Sequence, residues 1–244
     1  MLDESFSYAK EGIWGKWERW ALLIISLVIF PLILGYIVRI YRGEKPAPEL
    51  KEWGAMFIDG IKLLLVVLVY AAPVILLVIA AFVPLVSAII SSGATSDEFS
   101  SMTSTQVEQW MTANPQVMAA LGQMAIFLVV AIILALIIGI FSFTGLVRFA
   151  RTQKMAESFN FSAILKHIGR IGWLTYIAAL IIIGIIGIIF GMVLNILTFI
   201  PIIGQALFFA VMLVVYPPYI LFVGRYTVHV YELGVSGSLY DDPL

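Results

Sequence analysis

The sequence contains no cysteine, which excludes disulfide frameworks and thiolate metal sites. Charge is scarce as well: Asp, Glu, Lys and Arg make up 12% of the 244 residues, against about 25% in soluble domains. A fold of this size in water needs more charge to cover its surface, whereas lipid lets Leu, Ile, Val and Phe face outward. The net charge of −1 offers no bulk attraction for nucleic acid. Neither His167 nor His229 has a second His or Cys three or four positions away, so no metal and no cofactor is expected. His167 is placed on the polar side of an interfacial helix. Glu49, Glu52, Asp59 and Glu157 are interleaved with Lys and Arg, which reads as paired surface charge rather than an acid–base pair. No nucleophile elbow, phosphate loop or His–Glu helix motif occurs, and no enzymatic activity is expected.

Apolar length is what the chain has in abundance. About 20 apolar residues in a helix cross a bilayer core, and uncharged runs of about that length occupy 20–38, 63–86, 117–141, 173–194 and 199–223. Nothing alternates over the roughly ten-residue segments that a β-barrel needs. The expected fold class is all-α: an integral membrane helical bundle of four to six transmembrane helices with interfacial amphipathic helices, in a single membrane domain. The first run is short and holds Pro31 and Gly35. A simple crossing is its first reading, and a re-entrant hairpin that enters and leaves on one side is the second. Lys10, Lys16 and Arg19 precede it as in a signal peptide, but no small-residue cleavage site follows and Arg39 and Arg42 close it, so it is read as retained.

No Lys or Arg occurs in 87–116 or in the turn at Pro201. Three of the 14 cations precede the first run, five lie between the first and second, five between the third and fourth, and Arg225 follows the fifth. By the positive-inside rule, the basic linkers and the C-terminus are cytoplasmic in a multi-pass cell-membrane protein, and loop 87–116 is extracytoplasmic. Five crossings would then leave the N-terminal cations on the wrong side. No charged residue falls inside a run, which disfavours a proton-coupled pump. Pro73, Pro84, Pro201, Pro217 and Pro218 remain as kinks, or as breaks that free carbonyls for an ion.

The two basic linkers resemble each other: Arg39, Arg42 and Lys45 recur 109 positions later as Arg148, Arg151 and Lys154. An apolar stripe at helical spacing follows each arm, Leu50, Trp53, Phe57, Ile58 and Ile61 in one and Phe161, Ile164, Leu165, Ile168 and Ile171 in the other. Each unit reads as span, basic arm, interfacial helix, span, and Gly224-Arg225-Tyr226 resembles a shortened third start. The organisation expected is an interfacial segment (1–19), repeat unit one (20–86), the outer loop (87–116), repeat unit two (117–197), a last transmembrane helix (198–223) and a cytoplasmic tail (224–244). A parallel duplication and the ordinary clustering of snorkelling Arg and Lys at helix exits both account for the pattern.

The six arm residues Arg39, Arg42, Lys45, Arg148, Arg151 and Lys154 are the candidate binding site for anionic lipid headgroups, with ordinary topology-setting charge as the plainer reading. Gly184, Gly187 and Gly191 share a helix face that suits close packing within the bundle, or a homo-oligomer seam. Trp14, Trp17 and Trp20, three apart, suit an N-terminal helix at headgroup depth. In the outer loop, Thr105 with Glu108 is a capping-box pattern, and Asn114-Pro115 reads as the start of the third span.

The run from Gly35-Tyr36 through Arg39, the Pro46/Pro48 turn, Trp53, Phe57, Asp59-Gly60 and the segment from Arg148 to Ser158-Phe159-Asn160-Phe161 resemble a known family, domain of unknown function 4013, found in prokaryotes and frequent in archaea. The resemblance runs from Trp14 to about Tyr231. It implies a multi-pass membrane protein and brings no functional residue with it, since the family has no established activity. At Asn160 the pattern departs from the acidic residue expected in relatives. The functional expectation is a non-enzymatic protein that organises membrane or binds lipid or a partner. The alternative is a small transporter or channel for an uncharged or weakly polar solute, marked by a mid-depth cavity lined by Tyr70, Tyr176, Asn195, Gln205 or Tyr216.

Overall fold

The computed structural model describes residues 1–93 and 95–236. Among these there is no strand; the elements are α1 (Leu2–Ile13), α2 (Trp17–Val28), α3 (Phe30–Tyr41), α4 (Trp53–Ser91), α5 (Ser96–Ser101), α6 (Ser104–Ala113), α7 (Pro115–Thr152), α8 (Phe161–Ile171), α9 (Trp173–Asn195) and α10 (Gly204–Ser236), with short 3-10 turns at Met155–Phe159 and Ile196–Phe199. Four stretches, Trp53–Ser91, Pro115–Thr152, Trp173–Phe199 and Gly204–Val235, are long and apolar enough to cross a membrane, and their outward faces of Leu, Ile, Val and Phe match lipid as the solvent. The chain is an all-α, membrane-embedded protein.

It divides into two compact units, one of residues 1–67 and 140–244 and one of 68–139, the divisions falling inside α4 and α7. The smaller unit pairs the end of α4 with the start of α7 through buried Ala88, Val117 and Ala120. Its outer segment is capped two residues earlier than expected: Thr103 with Gln106 closes the capping box of α6, and Thr95 with Glu98 that of α5. Asn114-Pro115 does start α7.

In the larger unit the run 20–38 is not a crossing. It forms two 12-residue helices, each about 18 Å long and too short for a bilayer core. The break falls at Ile29 (φ −95°, ψ 79°), just before Pro31 in the first turn of α3. Both ends of the pair are tied to one short segment: Arg19 Nη1 donates to Ala47 O at 3.1 Å, and Arg39 Nη1 donates to Glu49 O at 3.0 Å. Leu23, Ile33, Tyr36 and Ile40 bury against each other and against Leu221 of α10. The helices therefore fold back on each other as a hairpin. The long apolar stretches are then four, and the run 20–38 is not among them.

The hairpin is fastened to α10 at a proline break. Pro218 has no N–H for the Val214 carbonyl, and the indole Nε1 of Trp20 donates to that oxygen instead, at 2.8 Å. Trp17 stacks on Trp20 with ring centroids 5.4 Å apart. Trp14 does not belong to the same helix, because α1 stops at Ile13 and Gly15 turns the chain at φ 74°. The expected single tryptophan helix is thus two helices. Ser5, Tyr8, Ala9, Gly12 and Ile13 form the buried face of α1, packed on α10.

The expected first interfacial helix is also absent as a separate element. Trp53, Phe57, Ile58 and Ile61 begin the unbroken 39-residue α4. In the second unit α8 is separate, and Gly172 at φ 89° sets it off from α9. Leu63 stands 109 positions before Gly172, where that backbone conformation is costly, so the helix runs on. The expected tail is likewise helical through Ser236, and its residues 237–244 lie outside the described residues.

Candidate functional site

Three helix exits converge in the larger unit. The basic arms leave from the C-terminal ends of α3 and α7, where cations complement the exposed carbonyls. Arg39 pairs with Glu52 at 3.4 Å, and Arg148 donates to Glu157 through Nε at 2.9 Å, each arm reaching into the segment that follows it. Arg42 pairs with Asp59 and donates to Gln153 Oε1 at 2.8 Å. Arg151 pairs with Glu232 at 2.9 Å and lies over the Tyr231 ring. Lys45 pairs with Glu4 at 2.7 Å. Five of the six candidate headgroup ligands are thus held by the chain's own carboxylates. Lys154 makes no ion pair among the described residues and is exposed.

Arg225 is the centre of this cluster. Its side chain is 1% exposed, and its Nη2 lies 3.0 Å from Glu4 Oε1 and 3.7 Å from Glu232 Oε2. Tyr8 of α1 lies beneath the guanidinium, 5.7 Å from ring centroid to Cζ. Arg225, His229 and Glu232 occupy one face of α10 at helical spacing, and His229 Nε2 stands 3.1 Å from Glu4. Hydrogen bonds from Lys45 and then Arg225 hold the Glu4 carboxyl down to about 2. A depressed carboxyl adds stability that is full above its ordinary 4.5 and is lost as the pH falls towards 2, so Glu4 stays ionised at neutral pH. The arrangement is a latch: one carboxylate of α1 joins the α3 exit to the end of α10.

Sequence reasoning did not single out Glu4 or Glu232, and it read Asp59 as paired surface charge, whereas Asp59 is paired but buried. The spacing of Arg225, His229 and Glu232 was a readable signal; the partnership with Glu4 across 221 positions was not. His167 is a correction. It lies on the buried face of α8 with Ile164, Ile168 and Ile171, its Nε2 2.9 Å from Tyr231 O and its ring stacked on Tyr231. A carbonyl only accepts, so Nε2 carries the proton, and burial pushes the pKa of His167 below its ordinary value. Asn160 caps α8, accepting from Ala163 N at 3.2 Å.

Of the three glycines on α9, only Gly187 meets a neighbour, the Tyr219 hydroxyl. A Cβ at Gly184 or Gly191 meets nothing within 4 Å, so close packing within the chain holds at one position of the three. Tyr176, a candidate cavity residue, is buried, accepts from Thr144 and donates to Ile140 O at 2.6 Å. Asn195 and Thr198 cap the end of α9.

Two clefts flank the elbow at Gly15. One, of about 580 Å³, is lined by Lys16, Arg19, Glu49 and Lys51 with Trp17 and Leu22. The other, of about 480 Å³, is lined mainly by aromatic and aliphatic side chains of α1, α9 and α10. Searches of curated proteins and of solved structures found no match. Residues 20–200 match the family described as Protein of unknown function (DUF4013), more than half of the chain, and the protein belongs to that family.

Proposed function

We propose that this protein is a non-enzymatic, multi-pass cell-membrane protein that organises membrane by binding anionic lipid on one basic cytoplasmic face. What supports the reading is the charge distribution: none of the 14 cations falls in 87–116, whose only charges are Asp97, Glu98 and Glu108, and a hairpin 20–38 that re-enters instead of crossing lets the positive-inside rule assign every cation to one side. Cationic residues concentrate on the cytoplasmic side, which orients the chain with its termini inside.

The geometry divides the cations by task. Arg39, Arg42, Lys45, Arg148, Arg151 and Arg225 hold the exits together through the chain's own acids. Lys16, Lys154, Lys166 and Arg170 are partly or fully exposed around them and are free to meet headgroups, each worth about 1 kcal/mol near an anionic leaflet. Lipid is therefore recognised by the outer ring of cations rather than by the arms as a whole. Replacing these four with Gln is expected to lower co-purifying anionic phospholipid at least about fivefold, with a thermal midpoint close to that of the parent. Unchanged lipid in the fourfold variant, counted by mass spectrometry, would contradict the reading.

A further inference from the structure

We infer that the groove between α1 and α10 holds one hydrocarbon chain of an anionic membrane lipid, with the headgroup at Lys10. The inference rests on the lipid-binding reading above and places one lipid molecule on it. Phe6, Lys10 and Ile13 of α1, with Trp14 just past its end, line one wall, and Val215, Pro218, Tyr219 and Phe222 line the other from α10. Both sets follow helical spacing, so each helix presents one continuous face to the groove. Ala9 forms the floor and is 5% exposed, a small residue where a larger one would close the space. Phe190 stacks on Tyr219 at 4.0 Å between centroids, a flat rigid end wall.

Three observations select a lipid over other occupants. The volume, about 480 Å³, falls within the roughly 300–1,000 Å³ of ligand sites. The α9 and α10 walls belong to stretches apolar enough to span the membrane, so the groove is continuous with the hydrocarbon. Lys10 is exposed at its rim and makes no ion pair among the described residues, unlike Lys45, Arg42 and Arg151 nearby in sequence or space. An unpaired ammonium beside an apolar channel complements a phosphate on an acyl tail. Trp14 and Trp20 flank it with the amphipathic rings favoured at headgroup depth.

The test is native mass spectrometry of the full chain released from vesicles of equal phosphatidylglycerol and phosphatidylcholine. The parent is expected to retain one phosphatidylglycerol in preference to phosphatidylcholine. Lys10→Gln should reduce that preference about fivefold, the worth of one interfacial cation. Val215→Trp, which fills the groove, should remove the retained lipid altogether. Lys10 is exposed, so the first variant tests the inference even if the second fails to fold. Phosphatidylglycerol retained equally by the parent and Lys10→Gln, but lost from the fourfold outer-ring variant, would overturn the groove and leave the basic-face reading standing. Equal retention of both lipids by the parent would overturn both. A dimer abolished by Val215→Trp, with no lipid bound, would assign the groove to a second copy and overturn the inference.

Discussion

Gly60→Ala is expected to abolish the folded, monodisperse protein, although alanine is the better helix former. A Cβ at Gly60 would stand 1.7 Å from Pro31 O and 2.8 Å from Gly35 N. The clash is reciprocal, since a Cβ at Gly35 would stand 1.7 Å from Met56 O. Neither obstacle is a side-chain tip that can swing away; both are backbone oxygens, and relief requires α3 and α4 to separate. Such overpacking costs more than the usual 1–3 kcal/mol of an added methylene group. That crossing sets the hairpin against the first membrane-spanning helix, so its loss removes the anchorage of α3. Gly184→Ala is the control: nothing lies within 4 Å of its Cβ, and removing a helical glycine should stabilise by about 0.5–1 kcal/mol. Size-exclusion profiles and thermal midpoints in one detergent separate the two outcomes, and a monodisperse Gly60→Ala with an unchanged midpoint would refute the crossing.

Glu4→Gln combined with Glu232→Gln is expected to cost about 3–5 kcal/mol, because it leaves Arg225 buried with no carboxylate. Among the described residues Arg225 Nε and Nη1 have no hydrogen-bond partner, so the two acids are its compensation. Either acid alone should cost much less: their side chains are 51% and 37% exposed, and water replaces part of what is lost. Adding Arg225→Met to the double variant should recover most of the stability, since an apolar side chain of similar length removes the buried charge itself. A double variant that melts with the parent would show that Arg225 is held by something other than the latch.

The four long apolar stretches were legible in the sequence because lipid imposes a length and a composition that a window of residues records directly. So was the amphipathic α8, whose buried Ile164, Ile168 and Ile171 keep a helical period within 11 residues. The hairpin was legible only as an alternative. Pro31 and Gly35 hinted at a break, but what closes the hairpin is the pull of Arg19 and Arg39 towards Ala47 and Glu49, a tertiary event. The arms themselves were visible through their recurrence at 109 positions, and their chemistry was not. Lys and Arg at a helix exit look alike whether they face lipid or an acid; pairing with the nearby Glu52, Asp59 and Glu157 was readable from their interleaving, whereas Glu4 and Glu232 arrive from the distant α1 and α10. The conflict over the N-terminal cations was itself the clearest sequence sign that the first run does not cross.

The absence of cysteine makes the decisive measurement free of background labelling. Single cysteines at Ser7 and at Gln109, in full-length protein in intact cells, are to be treated with a membrane-impermeant maleimide, with lysed cells as the reference for full reactivity. A re-entrant hairpin with four crossings predicts that Gln109→Cys is labelled in intact cells and that Ser7→Cys is labelled only after lysis. Labelling of both in intact cells would mean that residues 20–38 cross the membrane, and would contradict the account at its centre.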